Sequence, residues 1–154
     1  MSDIESLRRI LSRARTIAVV GLSADWYRPS YFASKYMQDH GYRIIPVNPK
    51  YETVLGEPCV GSVLDIKEPV DIVDIFRPTQ HVLPIAEQAI QIGAGCVWQQ
   101  LGVHNTEAVE KVLAAGMDSV VDRCVKIEHA RLFGGLNWVG VDTKVISAKR
   151  PRIL

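Results

Sequence analysis

Cysteine is scarce in this 154-residue chain, and what there is does not suggest pairing: Cys59, Cys96 and Cys124 are odd in number and set far apart. A domain of this length buries enough apolar surface to fold without covalent staples, so the thiols read as reduced rather than as a disulfide framework. Metal-ligand spacing is missing too. There is no CxxC or HExxH, and His40, His81, His104 and His129 form no cluster, which argues against a metal site. An excess of one charge is also missing: 18 Lys+Arg stand against 17 Asp+Glu, which leaves no broad basic face for nucleic acid. The longest apolar runs, such as 16–22, fall far short of a bilayer span. The start, Met1-Ser2-Asp3-Ile4-Glu5, is polar and acidic, unlike a secretion signal. The expected setting is the cytoplasm, with no membrane and no nucleic-acid partner.

What is present is a globular composition, 47% apolar and 23% charged, laid out as short β-branched runs alternating with amphipathic stretches. Ile4, Leu7, Ile10 and Leu11 mark one face of a first helix over 4–14. The run Thr16-Ile17-Ala18-Val19-Val20-Gly21 reads as a strand buried on both faces. Pro29-Ser30 starts a helix that continues over 31–40, and 43–47 is the second strand. The stretch 51–61, with Gly56, Pro58 and Gly61, reads as a loop holding at most one short strand. Strand 70–76 follows, then a helix opened by Pro78 and running to 92. Strand 95–98 comes next, then a helix capped by Asn105 and running to 115. Strand 118–121 and a short helix over 125–132 end the core pattern.

Gly41, Gly93 and Gly116 each fall just after a helix and just before a strand, where a left-handed residue satisfies the last helical carbonyls. Strands separated by helices pair in parallel through right-handed crossovers. The fold class is therefore α/β, a Rossmann-like doubly wound, mostly parallel sheet of about five strands with helices on both faces. It spans 1–132, followed by a C-terminal extension over 133–154. In that extension 139–147 suits a hairpin or edge strand, Trp138 packs, and Lys149, Arg150 and Arg152 form a solvated tail.

Ligands of such sheets bind beyond the carboxyl ends of the strands, where strand order reverses. The segments to inspect are thus Gly21-Leu22-Ser23, Asn48-Pro49-Lys50, Phe76-Arg77-Pro78, Gln99-Gln100-Leu101-Gly102 and Asp122-Arg123-Cys124, all more polar than the strands they follow. Gly21 lets backbone approach a ligand, while the following helix N-terminus, Arg28 and the Ser30 hydroxyl suit a phosphate. The three-glycine dinucleotide fingerprint is absent, and the second strand ends in Asn48-Pro49-Lys50 rather than in an acid. A lysine there favours a ribose that carries a phosphate, as in NADP or coenzyme A (CoA), over plain NAD.

The stretches Val20-Gly21-Leu22-Ser23 with Arg28-Pro29-Ser30, Arg43-Ile44-Ile45-Pro46-Val47-Asn48-Pro49, Val70 to Arg77, Trp98-Gln99-Gln100-Leu101-Gly102 and Asp122-Arg123-Cys124 resemble the stand-alone CoA-binding domain proteins, whose fold is also that of the CoA-binding domain in succinyl-CoA synthetase α subunits. The resemblance runs in order across 16–132. It implies a CoA or acyl-CoA ligand lying over the strand ends. Gly21, Leu22 and Ser23 would approach its phosphates, and Asn48, Pro49 and Lys50 would flank adenosine, with Lys50 on the 3′-phosphate. Ile75, Phe76 and Arg77 would line the adenine or pantetheine side, and Trp98, Gln99, Gln100 and Leu101 would meet the pantetheine arm. Trp98 at its strand end is suited to stack on the ligand. Trp26-Tyr27 is bulkier than the family pattern in the first loop, which puts the fit there in question, and Trp26 is suited to act as a lid.

No Ser-His-Asp order or paired carboxylate is evident. Cys124, placed after a strand end to face the cleft, and His129 are the only groups that invite a chemical role. The expectation is a carrier, sensor or regulatory module without its own catalytic group, with a protein partner or homo-oligomer left open. The alternatives are a small NADP-binding oxidoreductase-like protein and an interaction protein that has lost its ligand.

Overall fold

The computed structural model describes residues 3–134. Most of the expected C-terminal extension, including Trp138, 139–147 and the basic tail, lies outside them.

Five strands pair in parallel: β1 (Thr16–Val20), β2 (Arg43–Val47), β5 (Ile72–Ile75), β6 (Cys96–Gln99) and β7 (Asp118–Val120), in the spatial order β2-β1-β5-β6-β7. Strand order therefore reverses between β1 and β5. Alternate side chains enter opposite cores, as the strand pleat requires. Ile17 and Val19 of β1 join Ile72, Cys96 and Trp98 on one face, whereas Ala18 and Val20 join Val73, Ile75 and Val97 on the other.

The first of those faces is covered by α1 (Ile4–Arg13), α2 (Pro29–Asp39) and α5 (Val125–Phe133), through Leu7, Ile10, Leu11, Met37 and Val125. The second is covered by α3 (Val82–Ile92) and α4 (Thr106–Ala114), through Val82, Ala86, Ala89, Ala108 and Val112. Helices on both faces make the sheet doubly wound, as the alternating pattern predicts. Gly41, Gly93 and Gly116 all adopt positive φ, in keeping with their places between helix and strand.

Local signals set several boundaries. Asp3 caps α1 by accepting from Ser6 N at 2.8 Å, and Asn105 caps α4 by accepting from Ala108 N at 2.9 Å. Asp71 Oδ2 accepts from both Arg15 N and Thr16 N, which fixes the entry to β1. Pro78 does not open the α-helix directly: a 3₁₀ turn at Thr79–His81 comes first.

The loop expected over 51–61 is instead a two-stranded antiparallel hairpin, β3 (Thr53–Val54) and β4 (Glu57–Pro58). Its turn, Leu55-Gly56, has positive φ at both residues. A leucine does not advertise that turn, which Asn or Asp usually opens. Here the conformation is held from outside, by burial of Val54 and by Gln38 Nε2 donating to Leu55 O at 3.1 Å.

Candidate functional site

Three loops meet where strand order reverses. Gly21 N donates to Val47 O at 2.9 Å, and Phe76 N donates to Val20 O at 2.9 Å, so the chains leaving β1, β2 and β5 run side by side. Gly21 has a φ of +87°, and a Cβ on it would lie 2.8 Å from Phe76 O and 3.0 Å from Arg77 Cδ. Only glycine lets the first loop cross so close to the loop after β5. Asn48 ties the second loop to the first: its Nδ2 donates to Leu22 O at 3.1 Å, and its Oδ1 accepts from Lys50 N at 3.0 Å. Pro49 and Lys50 are exposed, with the Lys50 ammonium over the Tyr51 ring.

The first loop is held by its serines. Ser30 Oγ accepts from Ser23 N at 3.0 Å, and Ser23 Oγ accepts from Asp25 N at 3.0 Å. Ser30 is itself buried, so it fixes the loop onto the first turn of α2. Arg28 occupies the N-cap of α2 without a side-chain cap, and the first turn carries no acid. In contrast, the N-termini of α1 and α4 carry both a side-chain cap and an acid. The positive end of the α2 dipole is thus left open beside an exposed guanidinium, with Asp25 3.9 Å away as its partner. Trp26 and Tyr27 stand edge to face in the loop, and Trp26 is 75% exposed.

Beside this loop lies a cleft of about 510 Å³, lined by Pro29, Phe76, Arg77, Pro78, Gln100, Leu101, Val103, Cys124 and Ile127. Its size is that of a small-molecule site. Its walls come from the carboxyl ends of β5, β6 and β7 and from the first turns of α2 and α5. Two hydrogen bonds set the far wall: Asp122 Oδ1 accepts from Gly102 N at 2.7 Å, and Asp122 N donates to Val103 O. Asp122 takes a positive φ to make them.

Of the residues expected to line a site, Phe76, Arg77, Gln100 and Leu101 meet at this cleft, whereas Gly21, Ser23, Arg28, Asn48, Pro49 and Lys50 lie outside its lining, in the linked loops after β1 and β2 and at the start of α2. Others do not reach a surface. Trp98 is 0% exposed, and its Nε1 donates to Arg123 O at 2.8 Å, so it cannot stack on a ligand; it fills the core beneath. Leu22 and Ile75 are equally buried. Gln99 Oε1 accepts from Asn105 N at 2.6 Å, which pins the loop after β6 instead of facing a ligand. Pro29, Pro78, Val103 and Ile127 were not foreseen as wall residues. Apolar side chains in loops have no chemical signature, although the prolines do flank segments already singled out.

Cys124 lines the cleft, as expected from its place after a strand end. His129 does not; it is buried on the opposite side of α5, with its Nδ1 3.0 Å from the Tyr36 hydroxyl. Beneath the site, burial pushes the Asp74 carboxyl well above the usual carboxylate range, which favours its neutral form in the core.

Known proteins share this chain's sequence pattern and fold. The profile of a CoA binding domain family matches residues 15–130. An uncharacterized Bacillus subtilis protein is 41% identical over 124 residues, covering 80% of this chain and 92% of its own length. An ADP-forming acetate–CoA ligase of Methanocaldococcus jannaschii is 30% identical over 80 residues, which cover 52% of this chain but 11% of the ligase. Among solved structures, a hypothetical protein from Pyrococcus horikoshii superposes with a TM-score of 0.84 at 44% identity, covering 86% of this chain and 94% of that one.

Proposed function

The chain belongs to the CoA-binding domain family, and on that premise we propose that it binds CoA or an acyl-CoA as a carrier, sensor or regulatory module. In this reading the phosphates lie over Gly21–Ser23 and the open N-terminus of α2. The adenosine end lies towards Asn48, Pro49 and Lys50, and the pantetheine arm enters the apolar cleft.

The observation that carries the reading is the joining of two unlike surfaces. An uncapped, acid-free helix N-terminus with Arg28 beside it adjoins an apolar cleft, and Lys50 and Arg77 have no carboxylate partner among the described residues. A ligand matching both must be anionic at one end and neutral, slender and partly apolar at the other. CoA has that form. NADP shares the ribose phosphate but has no such arm to fill the cleft.

Calorimetric titration of ligand-free protein with CoA, dephospho-CoA and NADP tests it. CoA should bind most tightly. Loss of the 3′-phosphate should weaken binding about tenfold or more, since a hydrogen bond to a charged group contributes roughly 1.5–3 kcal/mol. Lys50→Ala should erase the difference between CoA and dephospho-CoA. Absence of heat with CoA would overturn the reading, and equal affinity for the two CoA forms would remove Lys50 from it.

A further inference from the structure

The cleft wall holds one thiol and one amide whose nitrogen has no protein partner among the described residues, and together they suggest more than reversible occupancy. Of the three cysteines, Cys96 is buried in the core, and Cys59 packs at the edge of that core beside the β3–β4 hairpin. Cys124 is the one on the cleft wall, at the N-cap of α5. The nearby Glu128 carboxylate is buried and turned to arginines, with Arg131 Nη1 at 3.1 Å and Arg123 Nη1 at 3.5 Å.

The second observation is Gln100, 3% exposed and on the same wall. Its Oε1 accepts from Val125 N, the residue after Cys124, at 2.9 Å. That bond fixes which end of the amide is which. Nε2 is left without a protein partner among the described residues, in a wall otherwise mostly apolar. A buried amide donor of this kind calls for an acceptor on the occupant, such as an amide carbonyl. An occupant with such a carbonyl close to its terminus would bring that terminus to Cys124.

We propose that Cys124 is a redox attachment point, forming a mixed disulfide with the terminal thiol of the ligand bound in this cleft. The inference rests on the CoA reading, in which that terminus is a thiol. The co-reactant is the symmetric disulfide of the ligand. Cys124 Sγ attacks one sulfur and gives its proton to solvent. The ligand's S–S bond breaks as the Sγ–S bond forms, and the other half leaves with the electron pair as a free thiol. Cys124 is oxidised, one ligand half is reduced, and excess thiol reverses the step. The bound module would thereby become a covalently loaded one under oxidising conditions.

Intact-protein mass spectrometry, with peptide mapping, after incubation with CoA disulfide or with oxidised glutathione tests this, alongside calorimetry of the reduced protein with CoA. One CoA adduct per chain is expected on Cys124. It should be reversed by dithiothreitol, absent in Cys124→Ser and retained in Cys59→Ser. It should form about tenfold or more faster than the glutathione adduct, because docking raises the local concentration of the reactive sulfur. If reduced CoA binds yet Cys124 stays unmodified, or reacts no faster with CoA disulfide than with oxidised glutathione, the inference is overturned and the CoA reading stands. If reduced CoA gives no heat, the reading itself fails and takes the inference with it.

Discussion

At the scale of single residues, Gly21 has two separate reasons to be glycine, and they can be measured apart. Its φ of +87° is strained for any other residue, and a Cβ would lie 2.8 Å from a backbone oxygen that cannot move aside. Gly116 has nearly the same φ, +82°, but nothing within 4 Å of where a Cβ would be. Gly116→Ala should therefore report backbone strain alone, about 1 kcal/mol. Gly21→Ala should cost a further ~1–3 kcal/mol, because the loops after β1 and β5 must separate. Urea unfolding of the two variants checks this, and similar midpoints would mean that the close crossing is not needed. Gly21→Ala should also weaken CoA binding, whereas Gly116→Ala should not. The need for glycine at 21 was legible in the sequence, since it follows a buried strand directly. The burial of Trp98 and the inward turn of Gln99 were not, because side-chain direction just past a strand depends on the loop's path rather than on residue type.

At the scale of elements, helix periodicity and strand runs marked every member of the main sheet, while the β3–β4 hairpin escaped notice because its turn is imposed by neighbours. A second consequence of packing between elements is the cluster around His129, which joins α2 to α5. Tyr36 bonds the imidazole, and the rings of His40, Tyr42 and Phe133 have centroids 5.2, 5.6 and 5.1 Å from it. Burial, and secondarily the charge on His40, hold the His129 pKa down to about 4. The unfolded chain would titrate near 6.5. Between those values the unfolded state takes up a proton that the folded state refuses, so this contribution is complete above about pH 6.5 and is lost as pH falls towards 4. The loss should be on the order of 1–3 kcal/mol. Asp118 and Glu68, held low by Arg9 and Arg43, lose their contributions as pH falls through the ordinary carboxylate range and below it, overlapping only the acid end of that window. An NMR titration should find the His129 imidazole still neutral at pH 5. Neutral Asp74 works in the opposite sense over the same range, so the change in urea midpoint from pH 6.5 to 4 should be more favourable to folding in His129→Phe than in the natural chain. A His129 that titrates near 6.5 would remove the effect.

At the scale of the whole molecule, the topology separates function from stability along the strand axis. The polar loop groups of the candidate site collect at the carboxyl ends, while the amino ends are closed by bonds such as Arg15 N to Asp71 and the paired Arg9–Asp118 contacts at 2.9 Å. The rule that ligands sit where strand order reverses pointed from the sequence to the end of the sheet where this cleft lies, but not to the cleft itself, whose walls become continuous only when three loops and two helix starts converge. The separation predicts an asymmetric response to ligand. With CoA at a hundred times its Kd, stability should rise by about 2.7 kcal/mol, a Tm increase of roughly 5–10 °C. Hydrogen exchange should place the added local protection at 21–31, 48–51, 76–82, 100–105 and 122–126, which span five loops that do not adjoin in sequence. Amides at the opposite end, at 14–16, 93–95 and 116–118, should slow only in step with global stability. Protection concentrated at that opposite end, or around His129, would put the ligand on the wrong side of the sheet and overturn the placement. A rise in Tm with no protection along 48–51 would leave CoA in the cleft but remove Lys50 from its recognition.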